Sequence, residues 1–115
     1  MIRRKAECTT EIREHMRGGD GEALITNLFE KSELMGRSRM LGTLTLKPGC
    51  SVGFHPHENE QEYFYVLKGT PIYQDDDKEV QLYEGDVTIC EDGHSHGIAN
   101  RSEEPVVVLA CILLK

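Results

Sequence analysis

From Ala23 onward the chain reads as short runs of β-type residues cut by turn residues at regular spacing, and no other feature narrows its fold as far. The runs are Ala23–Phe29, Arg39–Leu46, Ser51–His55, Glu62–Lys68, Thr70–Asp75, Lys78–Tyr83, Asp86–Cys90, His94–Asn100 and Val106–Leu114. Between them stand Lys47-Pro48-Gly49, Asp75-Asp76-Asp77, Glu84-Gly85-Asp86, Asp92-Gly93 and the stretch from Ser102 to Pro105. Proline presets φ, glycine supplies positive φ, and aspartate closes turns on its own backbone. Short strands at this spacing predict an all-β chain, an antiparallel double-sheet sandwich or barrel. Upstream, Ile12, His15 and Met16 fall at helical spacing behind Thr9-Thr10 and ahead of Gly18-Gly19. A short N-terminal helix is expected there, capped by threonine and stopped by glycine. A chain of 115 residues makes one domain. Within it, residues 1–35 are expected to pack on the barrel or on a partner subunit, and residues 36–115 to form the barrel.

Two strands carry more information. In Glu62–Lys68 the period of two puts Glu62, Phe64 and Val66 on one face and Tyr63, Tyr65 and Leu67 on the other, so both faces are apolar. Val106–Leu114 is apolar on both faces as well. An antiparallel sheet with a free outer face would be polar on that side. Something therefore covers it, either the N-terminal segment or a second subunit, and a homodimer is expected. The net charge of −7, with no basic cluster among aromatics, argues against nucleic acid and anionic membranes as partners. A small-molecule or protein partner is expected. No apolar stretch follows the charged N-terminus as in a secretory signal, and the longest apolar run is too short to span a bilayer as a helix. Cys8, Cys50, Cys90 and Cys111 are scattered with no CxxC pair and read as free thiols of a cytoplasmic protein.

Chemistry concentrates in residues 53–69, GFHPHENEQEYFYVLKG. His55 and His57 share a face if the segment is extended, and Pro56 between them suits a strand edge or bulge. Glu62 opens the next strand and points inward if Phe64 and Val66 do. A further ligand must come from elsewhere, and DGHSHGIAN offers His94 and His96. Converging imidazoles with one carboxylate suit zinc, iron, manganese, nickel, cobalt or copper.

The spacing is more specific than that. Gly49, five residues, His55-Pro56-His57, four residues, Glu62, six residues and Gly69 resemble the first cupin motif. Gly85, five residues, Glu91-Asp92-Gly93, two residues, His96, three residues and Asn100 resemble the second, with Glu91 where the motif has proline. The resemblance implies a jelly-roll β-barrel, often dimeric, with His55, His57, Glu62 and His96 as ligands of one divalent transition-metal ion per chain. The missing proline puts the geometry of the turn before His96 in question. His94 is expected to point away from the cavity, toward solvent or behind the ligands. Glu58 and Glu60 are expected to be solvated, Asp75-Asp76-Asp77 to form a charged hairpin turn, and Arg17 to Gly21 to be a flexible connection.

Three imidazoles and a carboxylate leave an octahedral divalent ion about one positive charge and two adjacent open positions, which suit a bidentate oxygen ligand. The expected function is a metal-dependent enzyme of the dioxygenase, decarboxylase or isomerase type, acting on a small oxygen-rich anionic metabolite bound directly to the metal. The alternative is a noncatalytic binding or sensing module. Tyr65 and Tyr73 are the candidates for acid–base work, although strand tyrosines more often pack with a tethered hydroxyl. The groups that orient the histidines cannot be read at this level.

Overall fold

The computed structural model, which describes residues 1–115, has ten strands. They are β1 (Thr9–Glu14), β2 (Glu22–Phe29), β3 (Ser38–Leu46), β4 (Ser51–Pro56), β5 (Glu60–Lys68), β6 (Ile72–Asp75), β7 (Lys78–Gln81), β8 (Val87–Cys90), β9 (Ser95–Ala99) and β10 (Val106–Leu114). One sheet runs β1-β2-β3-β10-β5-β8 and the other β4-β9-β6-β7, with every pairing antiparallel. The fold is thus mostly β, as expected, but the two sheets do not close into a barrel. Closure needs a hydrogen-bonded ring, and here each sheet keeps two edge strands. No helix is long and apolar enough to cross a membrane.

The predicted N-terminal helix does not form. Thr9–Glu14 is a strand paired with β2 from Thr9↔Asn27 to Glu14↔Glu22, and the only helical pieces are single 3-10 turns. One turn of helical spacing cannot offset the cost of nucleating a helix. Thr9, Thr10 and Ile12 are β-branched, and the neighbouring β2 edge offers a full ladder of hydrogen bonds.

Registers explain the core. On the inner face of the larger sheet Ile25, Leu44, Val108 and Val66 lie side by side across four strands, and Ala23, Leu46 and Val106 form the next row. Val52, Ile98 and Tyr73 answer from the smaller sheet. Leu46, Val106, Val108 and Ala110 are wholly buried. The outer face of β5 and β8 is a different matter: Tyr65, Leu67, Val87 and Ile89 are exposed, Val87 by 69%. The N-terminal strands do not cover this face, because β1 and β2 extend the larger sheet beyond β3.

Leu46 tests the packing. Leu46→Ala is expected to cost about 2–5 kcal/mol of unfolding free energy, measured by urea titration. A loss within about 0.5 kcal/mol, as at a surface position, would contradict the core described above.

Candidate metal centre

The strands bring the four expected residues together from both layers. β4 is an edge strand, so Pro56 costs it no ladder bond within the sheet. Its register shifts between Val52 and His55, and this bulge lets both residues face inward although they are an odd number apart. His55 pairs directly with His96 on β9. The backbone of His57 is tied to the turn before β9 through His57 N–H to His94 O at 3.0 Å and Gly93 N–H to His57 O at 2.8 Å. Glu62 comes from the opposite sheet, in a row between Ile112 of β10 and Cys90 of β8.

The three imidazole centroids form a nearly equilateral triangle of 5.0, 4.9 and 4.9 Å. One ligand atom from each of His55, His57, Glu62 and His96 lies within 4.8 Å of all the others, and all four residues are buried. His57 Nε2 and His96 Nε2 are 3.0 Å apart, and each is 3.0 Å from Glu62 Oε1. Two nitrogens about 2.1 Å from one ion stand about 3.0 Å apart at a right angle and about 3.4 Å apart at the tetrahedral angle. The observed spacing matches adjacent positions of an octahedron.

Each ring is held from behind, and these holders were beyond the reach of the sequence. His55 Nδ1 donates to Gly53 O at 2.7 Å, His57 Nδ1 to Glu60 Oε2 at 2.5 Å, and His96 Nδ1 lies 2.8 Å from the Tyr73 hydroxyl. A carbonyl or an ionised carboxylate can only accept, so in their neutral form His55 and His57 carry the proton on Nδ1 and turn Nε2 lone pairs inward. Phe64 stacks on His96 at 5.2 Å and fixes its plane. Neutral rings and a carboxylate thus converge in a buried space with too few protons between them, an arrangement that a cation relieves.

Electrostatics act differently on each member of the cluster. Burial pushes the His55 imidazole below its ordinary value, only partly offset by the Gly53 carbonyl, and nearby positive groups including Arg17 act in the same direction. Burial would also depress His57, but its hydrogen bonds to Glu62 and Glu60 prevail and raise it. For Glu62, burial is likewise outweighed by bonds to His57 and His96, and the carboxyl is held low. Glu60 is pulled down to about 2, chiefly by the Arg39 guanidinium, with His57 contributing.

Several expectations change here. Glu60 is not solvated: its side chain is 13% exposed and bridges His57 to Arg39, which forks onto it with two bonds of 2.7 Å. The available signal was parity, since Glu60 and Glu62 share a face once β5 begins at Glu60. Arg17 to Gly21 is not a loose connection but a turn bonded to β4 through Ser51. Glu58 is exposed, as expected. Tyr65 lies on the outer face, away from the cluster, while Tyr73 is buried behind His96. Asp76 and Asp77 form the expected β6–β7 hairpin turn between Asp75 and its partner Lys78. Without the motif proline, the turn before His96 is closed by His94 N–H to Glu91 O at 2.9 Å. His94 stands outside the cluster, as expected: β9 starts at Ser95, and the half-exposed His94 ring in the turn bonds Asp76 Oδ2 at 2.6 Å.

That bond to Asp76 raises the His94 pKa. The pair therefore stabilises the fold while His94 is protonated, and the contribution is lost as pH rises through the folded pKa. Asp76→Asn is expected to bring His94 down toward about 6.5 in an NMR titration; an unmoved titration would refute the pairing.

Comparison with known proteins agrees with this geometry. An oxalate-binding protein of Thermotoga maritima is 38% identical over 114 residues, covering 99% of this chain and 94% of that one. A crystal structure of a predicted oxalate decarboxylase from Thermotoga maritima superposes with a TM-score of 0.95 at 37% identity, covering both chains fully. The tetracenomycin polyketide synthase protein TcmJ of Streptomyces glaucescens is 32% identical over 95 residues, which cover 83% of this chain and 61% of that protein. Residues 42–112 match the cupin domain family. With the motif, the layered strands and the inward-facing His-His-Glu-His group all in agreement, the chain belongs to the cupin family.

Proposed function

We propose that His55, His57, Glu62 and His96 hold one divalent transition-metal ion and that the protein uses it to bind a small oxygen-rich anion, of which oxalate is the first to try. The single observation carrying this reading is the 3.0 Å triangle of His57 Nε2, His96 Nε2 and Glu62 Oε1 inside a buried, pre-oriented set of donors. The relatives named for oxalate support the choice of anion. An ion held here would supply Lewis acidity in a cavity where water screens little.

The chain's own residues have defined tasks in this reading. Gly53, Glu60 and Tyr73 keep the three rings from rotating, so the donors are in place before any ion arrives. The ionised Glu60 carboxylate makes His57 the more basic donor. Arg39 in turn holds Glu60, leaving it one geometry in which to serve His57. Phe64 and the neighbouring core exclude water from the donor side.

A second reading, turnover rather than binding alone, is favoured by the relative described as a predicted oxalate decarboxylase. Incubation of metal-loaded protein with oxalate, followed over hours by product analysis, separates the two: unchanged oxalate supports a binder, and product an enzyme. The reading also includes a homodimer through the uncovered face of β5 and β8, supported by its exposed Tyr65, Leu67, Val87 and Ile89. Val87→Glu is expected to convert a dimer to a monomer in light scattering, and a monomeric wild type would refute the dimer.

Metal content tests the main proposal. Purified protein is expected to carry about one ion per chain and His57→Ala almost none, with circular dichroism unchanged; equal content in both would overturn the assignment. Glu60→Gln, which loses the charge that steadies His57, is expected to weaken metal affinity about 10- to 100-fold.

A further inference from the structure

A cavity of ≈ 110 Å³ opens on Glu62, and its polar wall is made by Glu11 and Arg13 of β1, Arg17 of the following turn and Arg39 of β3. Two of the three guanidiniums already have partners: Arg13 meets Glu11 at 3.0 Å and Arg39 meets Glu60 at 2.7 Å. Arg17 has no ion pair with any carboxylate of the chain. It stands exposed at the mouth with its donor fork free.

The backbone shows that Arg17 is held in place. Its φ is +54°, and that of His15 in the same turn is +49°. Residues with a Cβ enter this region only at a cost, and only where their surroundings compel it. Here the compulsion is visible. His15 N–H bonds Gly21 O at 2.8 Å, Asp20 N–H bonds Ser51 Oγ at 2.8 Å, and Ser51 N–H bonds Asp20 O at 2.9 Å. The turn lies so close to β4 that a Cβ at Gly53 would meet Arg17 O at 2.1 Å, and one at Gly19 would meet Ser51 O at 2.2 Å. Gly53 is also the residue whose carbonyl holds His55. One backbone contact therefore sets both an imidazole of the cluster and the arginine over the cavity.

We propose that Arg17 is the recognition residue for a short dicarboxylate, taking one carboxylate while the other end of the molecule lies at the four-residue cluster. The assignment rests on the metal-dependent anion binding proposed above and adds to it a selectivity that the cluster alone does not supply. A guanidinium presents two parallel N–H donors that match a carboxylate. The cavity is small, which favours a dicarboxylate with two or three carbons. A monocarboxylate held at the cluster leaves Arg17 unpaired.

The test compares wild type, Arg17→Ala and Arg17→Lys, each loaded with Mn(II) and assayed for metal content. Oxalate, malonate, acetate and inorganic phosphate are then titrated into each by calorimetry. Alanine keeps the Cβ, so the turn's backbone preferences stay close to those of arginine, and circular dichroism checks the fold. The expected result is full metal content in all three proteins and oxalate bound about 10- to 100-fold more weakly by Arg17→Ala. Arg17→Lys should fall between, and acetate affinity should be unchanged. Equal oxalate affinity in wild type and Arg17→Ala would overturn the role of Arg17 while leaving the metal site intact. So would phosphate bound as tightly as oxalate, or metal-loaded wild type that binds no dicarboxylate. Wild type that takes up no metal would overturn the underlying function, and this assignment with it.

Discussion

Three imidazoles and one carboxylate, drawn from facing sheets, point their acceptor atoms into the same few ångströms of buried space. In an apolar interior such a crowd of acceptors is costly unless something positive lies between them. The protein meets the cost by orientation. Each ring is fixed through its far nitrogen, by a backbone carbonyl, a carboxylate or a phenol, and none of these can swing away without breaking a hydrogen bond. The layers around the site are ordinary, with inward rows of Ile, Leu and Val matched strand to strand. What distinguishes the molecule is that the polar cluster occupies a stretch of the same interface.

Glu60 shows how far the orientation extends. Its two oxygens serve Arg39 on β3 and His57 after β4, so strands of different sheets meet through one side chain. Its strongly depressed pKa follows from that position, above all from the guanidinium. The carboxylate therefore remains ionised well below neutral pH and stays an acceptor for the His57 Nδ1 proton.

Much of this was legible in the residues. Strand positions follow from period-two patterning and turn chemistry, and β2 to β10 fall where those patterns place them, within a residue or two. The four inward residues could be chosen because two motifs fix their spacing and because Phe64 and Val66 reveal the inner face of β5. Other features were not legible, for physical reasons. Thr9–Glu14 has no alternation to mark it as a strand, since an edge strand exposed on both faces has no need of one. Its identity comes from pairing with β2, a contact that local sequence does not encode. Glu60 looked like one more acidic residue in a polar loop because its partner Arg39 is 21 residues away. Closure of the barrel is likewise a property of edges meeting in space, not of any one strand.

The donors are divided three to one between the layers, with Glu62 alone on the larger sheet. Their separation is therefore a gauge of how far apart the sheets sit. Bulk added deep between the layers, many residues from any histidine, would widen that gap by a fraction of an ångström while every strand stayed paired. Coordination in the proposed metal site would tolerate such stretching far less well than packing does. Sequence drift in this interior should thus be limited first by the bite of the site, and only later by whether the chain still folds.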